Sequence, residues 1–178
     1  ITIDWDSEGI FSIDQSASSQ TAPLIKNLGV ISNASIINAG GGIVRKNQNN
    51  FTIDSCYSYG NIIAEDTGTT SGGGICGTRC GGTITMSRPY FIGNTFRCNG
   101  GMTGSFCVYS VGNLYISDCY AVGTAGTYGG GIIGFGVAEK NRTGIIHITN
   151  CYFVGVFDDT VENVTVVPSG GIAGQYLC

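Results

Sequence analysis

A ten-residue block recurs along the chain at nearly constant spacing, and this repeat restricts the fold more than any other feature of the sequence. The starts of its four clear copies are 33, 30 and 32 residues apart. These copies are FTIDSCYSYG from Phe51, ITMSRPYFIG from Ile84, LYISDCYAVG from Leu114 and IHITNCYFVG from Ile146. A weaker copy, LIKNLGVISN, begins at Leu24. We therefore predict five repeat units, over residues 24–50, 51–83, 84–113, 114–144 and 145–178.

Each unit also contains a glycine-rich segment that ends in an apolar residue. The segments we assign are Gly41-Gly42-Ile43, Gly73-Gly74-Ile75, Gly104-Ser105-Phe106, Gly130-Gly131-Ile132 and Gly170-Gly171-Ile172. The third unit departs from the pattern here, and it also carries Arg88-Pro89 where its neighbours have Asp-Cys or Asn-Cys. We expect a coil in this unit but do not assign its strand ends.

The repeat predicts a solenoid of short strands. Apolar residues alternate within each block, as at Phe51 and Ile53, and this period of two indicates half-buried strands that end at glycine turns. A unit of this size cannot bury its own apolar face, but it can wind one coil and pack against the coils above and below. Crossover connections between parallel strands are nearly always right-handed. We therefore predict an all-β, right-handed parallel β-helix of about five coils with 30–33 residues per coil.

Equivalent positions of successive coils should stack about 4.8 Å apart and form ladders. One predicted internal ladder contains Cys56, Cys119 and Cys151, with Pro89 in the third unit. A second, on another wall, contains Ile75, Phe106, Ile132 and Ile172.

A column of tyrosines follows the cysteines, with one aromatic ring on each coil. Its members are Tyr57, Tyr90, Tyr120 and Tyr152. The column is either a structural stack of rings or an outward sugar-binding face. We favour the structural stack, because a cysteine and the tyrosine after it cannot both point inward without a bend between them.

The two ends of the repeat array differ. Residues 1–23 are predicted to form a strand pair that caps the first coil, with Trp5 and Phe11 as the candidate covering side chains. At the other end the sequence stops four residues after Gly174, with no pattern typical of a capping helix. We expect either self-association or continuation into further coils.

Roughly residues 24–178 contain recurring segments, namely IKNLGVISNASI, DSCYSYGNI and NCYFVG, and the endings GGGICG, GGGIIG and SGGIAG. These segments resemble GLUG-type repeats. Such repeats occur in secreted bacterial adhesins, in surface proteins associated with peptidases and in repeat proteins of large eukaryotic DNA viruses. The resemblance implies an elongated scaffold that is extracellular, at a cell surface or in a virion. It implies little about biochemical activity, because such scaffolds serve many partners.

Composition excludes several classes of function. Charged residues make up 11% of the chain, the net charge is −4, and there is no basic stripe, so nucleic acid is not an expected partner. The longest runs of low polarity are broken by glycine and are far shorter than the roughly 20 residues needed to cross a bilayer. We therefore predict no membrane insertion.

Most of the eight cysteines are predicted to be small buried hydrophobes, with Cys56, Cys119 and Cys151 at one coil position and Cys76 and Cys107 at another. Cys80 and Cys98 lie in predicted loops and are the best candidates for a disulfide. A zinc site at Cys76 and Cys80 would need two further ligands, and the single histidine lies elsewhere, so we expect no metal and no other cofactor. Four sequons, at Asn33, Asn50, Asn141 and Asn163, permit N-glycosylation in a secretory pathway.

No catalytic constellation is evident. The candidate carboxylate pair is Asp158-Asp159, and His147 lies between two isoleucines, so alternation points it outward. We predict a non-catalytic structural or surface-display module that mediates self-assembly or adhesion, with further copies, a surface or virion scaffold, or a glycan or receptor as partners. The alternative is a carbohydrate-active or carbohydrate-binding β-helix, similar to polysaccharide lyases and hydrolases.

Overall fold

The computed structural model describes residues 1–4, 8–13, 22–37, 39–63, 72–95, 99–109, 112–137, 140, 143–157 and 170–174. In these residues every element is a β-strand, and each pairing between strands is parallel. None of the described residues forms a helix of the length and apolarity that a membrane span requires. The predicted all-β parallel solenoid is confirmed, with about four turns where about five coils were predicted.

The strands form two parallel sheets. The first has six strands in the order β1 (Thr2–Ile3), β3 (Gly29–Ile36), β5 (Tyr57–Ile62), β7 (Tyr90–Ile92), β9 (Tyr120–Ala125) and β11 (Tyr152–Phe157). The second has five, in the order β2 (Leu24–Lys26), β4 (Asn49–Asp54), β6 (Gly81–Ser87), β8 (Gly112–Ser117) and β10 (Ile146–Thr149). The four clear sequence blocks supply β4 to β11, and the weaker copy supplies β2 and β3.

The glycine-rich segments form a third wall, which is held by isolated parallel bridges. One column of bridges joins Gly41, Gly73, Gly100, Gly130 and Gly170. A second joins Phe11, Val44, Cys76, Thr103, Ile133 and Ala173. The third unit therefore uses Gly100-Gly101-Met102 and not the predicted Gly104-Ser105-Phe106. Met102 is fully buried, and Phe106 adopts a left-handed backbone with φ of 54° at a corner, so its placement in the internal ladder was wrong.

A left-handed residue turns the chain from each strand of the five-stranded sheet into the six-stranded sheet. These residues are Asn27, Ser55, Arg88, Asp118 and Asn150, with φ between 52° and 54°. Asparagine and aspartate tolerate this conformation better than most residues. This bend lets the residue after the corner point inward and the following residue point outward. After Asp118, for example, Cys119 is buried and Tyr120 is half-buried.

The core is a continuous column of apolar side chains between the three walls. The largest fully buried side chains include Phe51, Phe91, Ile84, Met86 and Leu114, which come from both sheets. Burial of this kind contributes about 25 cal/mol for each Å² of apolar surface removed from water. The interior is therefore filled by protein side chains, and features that could act on other molecules must lie at the corners, faces and ends.

The amino-terminal segment joins the solenoid as a partial coil. β1 pairs in parallel with β3, and Phe11 forms a parallel bridge with Val44. The predicted strand pair is thus one strand and one bridge, both stacked on the next coil. Phe11 is 37% exposed, and Trp5 lies outside the described residues.

Candidate functional site

Three thiols meet inside the solenoid at the corner between the third wall and the five-stranded sheet. Cys76 belongs to the third wall, Cys80 ends the same coil just before β6, and Cys107 comes from the next coil. Their sulfur atoms all lie within 4.8 Å of one another, and all three residues are fully buried. This thiol cluster is the one group of three or more potential metal ligands among the described residues.

The positions of the three cysteines follow from the coil register. Arg79 and Phe106 occupy equivalent left-handed corner positions, since the Arg79 amide donates to the Ser105 carbonyl and both residues have φ near 55°. Cys80 and Cys107, which follow them, therefore stack on adjacent coils. Cys76 instead aligns with Val44 and Thr103. The prediction that Cys76 and Cys107 share one position was wrong, because the glycine segment of the third unit had been placed four residues too late.

The thiols are hydrogen-bonded to the backbone and to each other. Cys80 donates to the Arg45 carbonyl at 3.4 Å, and Cys107 donates to the Gly77 carbonyl at 3.2 Å. Burial raises the pKa of the Cys76 thiol well above its usual value. Hydrogen bonds from the Cys107 and Cys76 thiols lower the pKa of Cys80.

Cys80 lies in the turn just before β6, in agreement with its predicted loop, but it is a free and fully buried thiol. The structure does not show the predicted Cys80–Cys98 disulfide, and Cys98 lies outside the described residues. Sequence reasoning considered Cys76 and Cys80 as metal ligands but missed Cys107. The available signal was the segment Gly100-Gly101-Met102-Thr103-Gly104, which fits the glycine pattern and would have shifted Cys107 into line with Cys80.

An open cavity of about 540 Å³ lies beside the thiol cluster, and Cys80 forms part of its wall. The other lining residues are Asn49, Asn50, Arg79, Gly81, Gly82, Phe106 and Tyr109. Arg79 is exposed and makes no ion pair with a described carboxylate. The Lys140 ammonium lies 5.4 Å from the centre of the Tyr109 ring. The cavity therefore combines cationic, amide and aromatic groups beside one buried cysteine.

The tyrosine column is a stack of rings on the outer face of the six-stranded sheet. Tyr57 and Tyr90 have centroids 4.8 Å apart and an interplanar angle of 10°, and the Tyr90–Tyr120 and Tyr120–Tyr152 pairs repeat this geometry at 5.0 and 5.5 Å. Tyr59 packs edge-on against two of the rings. Because each inner ring face covers its neighbour, the faces that a sugar would need are already occupied.

The predicted cysteine ladder is present, and its members are buried except on the last described strand pair. Cys56 and Cys119 are buried and Cys151, on the last described strand pair, is half-buried. Cys56 donates to the Asp54 and Ile25 carbonyls at 3.3 and 3.5 Å. Burial raises the pKa of both Cys56 and Cys119, as expected for thiols that pack as small apolar side chains.

The last described coil, defined here as residues 145–157 and 170–174, is the least covered part of the solenoid. Six of the eleven exposed large hydrophobic residues in the described chain lie on it, namely Ile145, Tyr152, Val154, Val156, Phe157 and Ile172. The predicted internal ladder shows the same change, since Ile75 and Ile132 are fully buried and Ile172 is 38% exposed.

The remaining predicted features are dispersed. Asn33 and Asn50 are exposed, and each makes a hydrogen bond, to Asp4 and to the Thr83 amide respectively. Asn141 and Asn163 lie outside the described residues, as does the Asp158-Asp159 pair. His147 is exposed on β10, as alternation predicted. Asp54 forms ion pairs with Arg88 and Lys26.

Comparison of the chain with protein-family models, with curated proteins and with solved structures finds no match in any of the three. The resemblance to GLUG-type repeats stays a hypothesis.

Proposed function

We propose that this chain is a non-catalytic structural module that assembles by stacking its last described coil against a second copy, within a cell-surface or virion assembly. The observation that carries the proposal is the concentration of exposed apolar side chains on that coil. Apolar patches of this kind on a folded surface are typical of interaction sites.

The backbone of the last described coil supports the same proposal. β11 pairs with β9 and β10 pairs with β8, and no described strand pairs with the opposite edge of either. An open edge of a parallel sheet presents N–H and C=O groups that a further strand can satisfy. A second copy offers strands of the same twist and spacing.

The side chains at this edge fit another coil of the same kind. Tyr152 is 54% exposed and leaves one ring face open at the end of the tyrosine stack. Val154 continues an outward column that contains Val122, Ile92 and Tyr59 on the preceding strands. A further coil would cover both columns, and each buried aromatic pair adds about 1 kcal/mol beyond the burial of its area.

The test is a double substitution that charges the open edge, Val154→Lys with Val156→Lys. Charged side chains, lysine above all, prevent edge-to-edge pairing. We expect the unmodified chain to form oligomers that increase with concentration in sedimentation velocity and light scattering, and the double variant to remain monomeric. Ile31→Lys is the matched control, since it charges an exposed residue of the same sheet between two paired strands.

Three results would contradict the proposal. They are a monomer at all concentrations, oligomers that persist in the double variant, and equal loss of oligomers in the Ile31→Lys control. Rod-like particles in electron micrographs would support stacking along the solenoid axis.

A second candidate function, glycan binding, is favoured by the open cavity. Arg79, Asn49, Asn50 and Tyr109 provide charge, amides and an aromatic ring, which suits an acidic sugar. A glycan screen that compares the unmodified chain with Arg79→Ala tests this alternative, and binding that Arg79→Ala abolishes would support it.

A further inference from the structure

We propose that Cys76, Cys80 and Cys107 form a binding site for a divalent cation that prefers sulfur ligands. Zn²⁺ is the biological cation of this kind that we expect to bind. The inference is independent of the proposed assembly, because the cluster lies inside the solenoid and away from the last described coil. It depends on three observations: the convergence of the sulfur atoms, the cavity that reaches Cys80, and the charge beside that cavity.

The distances suit coordination by three thiolates. Ligands at about 2.3 Å from a tetrahedral zinc lie about 3.8 Å apart. The sulfur atoms of the cluster lie within 4.8 Å of one another, so metal binding needs them to close by about 1 Å at most. Each thiol that binds the metal releases its proton to solvent, and a thiolate–metal bond replaces the S–H bond.

The cavity supplies the coordination position that the protein leaves open. In the described residues no fourth cysteine, histidine or carboxylate joins the cluster. Zinc with three protein ligands takes water or another small molecule as its fourth ligand. Cys80 lines the cavity of about 540 Å³ but is fully buried, so a metal and its fourth ligand can reach the sulfur from that side only when the side chains of this corner move apart.

Charge balance favours a divalent ion over a monovalent one. Three thiolates around Zn²⁺ carry a net charge of −1, whereas around Cu⁺ they carry −2. A buried net charge is costly unless an opposite charge lies near it. The guanidinium of Arg79 lines the same cavity and offers one positive charge, which matches the zinc complex.

The neighbouring coils show that apolar side chains could fill this corner equally well. Val44 and Ile133 occupy the positions equivalent to Cys76. Val137 occupies the position equivalent to Cys107, since each follows a left-handed corner residue and the Phe106 amide donates to the Phe135 carbonyl. All three of these residues are fully buried. The coil between those of Cys76 and Ile133 places Thr103 at the same position, so this corner accepts both aliphatic and small polar side chains.

These equivalent residues define variants that should fold. Cys76→Val and Cys107→Val each place in the cluster a side chain that the solenoid already accepts on another coil. Cys119→Ala is the matched control, because it removes a buried thiol that lies outside the cluster.

The experiment uses the full chain, reduced and free of metal, under anaerobic conditions. We expect it to bind one Zn²⁺ in competition with a chromogenic chelator, and one Cd²⁺ with a sulfur-to-cadmium charge-transfer absorbance typical of three thiolates. Both signals should be lost in Cys76→Val and in Cys107→Val and kept in Cys119→Ala, while circular dichroism shows each variant folded.

Four results would overturn the proposal. They are no binding of either ion, binding of Cu⁺ alone, a signal that survives both valine substitutions, and a signal that Cys119→Ala removes.

Discussion

A column of glycines on the third wall shows how single residues set the shape of the solenoid. At Gly101, an added Cβ would lie 2.4 Å from the Ala121 Cβ and 2.4 Å from the Gly131 carbonyl oxygen. At Gly74, the corresponding contact with the Gly101 carbonyl oxygen would be 2.1 Å. All three distances are shorter than van der Waals contact. The carbonyl oxygens belong to the backbone of the next coil, which cannot rotate away as a side chain can. The glycines are therefore required by the close approach of successive coils.

Gly101→Ala should destabilise the protein by about 2 kcal/mol, the usual cost of forcing an extra carbon into a packed interior. Gly171 is the matched control, because it occupies the equivalent position on the last described coil and an added Cβ there meets nothing within 4 Å. Gly171→Ala should change the free energy of unfolding by less than about 0.5 kcal/mol. Urea denaturation of both variants measures the difference, and equal effects would contradict the coil register described here.

The tyrosine stack is the clearest case in which one structural element changes the chemistry of its members. Burial, with smaller contributions from the Tyr59 and Tyr120 hydroxyls, raises the pKa of Tyr90 from 10.0 to about 12. Burial also raises the pKa of Tyr120. In the folded protein Tyr90 and Tyr120 therefore hold their phenolic protons beyond the pH at which an unfolded chain loses them.

This shift predicts how stability depends on pH. Above pH 10 the unfolded chain releases the Tyr90 proton and the folded chain keeps it until about pH 12. The contribution of Tyr90 is therefore fully present below pH 10, and the free energy of unfolding falls as pH rises through this range. Tyr90→Phe should make that fall less steep in urea denaturation, and Tyr115→Phe, on β8 and outside the stack, should leave it unchanged. The same pH dependence of the free energy of unfolding in the unmodified chain, Tyr90→Phe and Tyr115→Phe would refute this explanation.

Strands of this fold could be predicted where the alternation of apolar residues agrees with the repeat of the ten-residue block. The alternation in the blocks from Phe51, Ile84, Leu114 and Ile146 correctly predicted β4, β6, β8 and β10. Prediction of the third wall failed in the third unit, because Gly100-Gly101-Met102 and Gly104-Ser105-Phe106 each fit the glycine pattern. What separates them is the backbone of Phe106, whose φ of 54° suits a corner and not a bridge.

The thiol cluster could not be predicted for a related reason. Its members are contributed by two coils, and the approach of Cys107 to Cys76 and Cys80 depends on the register between them. The error in the third unit aligned Cys107 with Cys76 in the prediction and so separated it from Cys80. The tyrosine column, by contrast, follows directly from the best-defined block, and its ring-on-ring geometry agrees with the favoured structural interpretation.

At the scale of the whole molecule, burial changes along the solenoid axis. The middle coils are filled and covered, as the full burial of Phe51, Ile84 and Leu114 shows. On the last described coil, Val154 is 54% and Val156 64% exposed, although they continue columns of the same sheet. A solenoid of this kind is stabilised by the contact of each coil with its neighbours. In the proposed assembly, a second copy covers this coil.

Hydrogen–deuterium exchange across a range of protein concentrations tests that claim most directly, because it reports on the backbone amides of the proposed joint. We predict that exchange at residues 152–157 slows as concentration rises. Exchange in β5, which is paired on both sides, should not change. Exchange at residues 152–157 that is independent of concentration would contradict the claim.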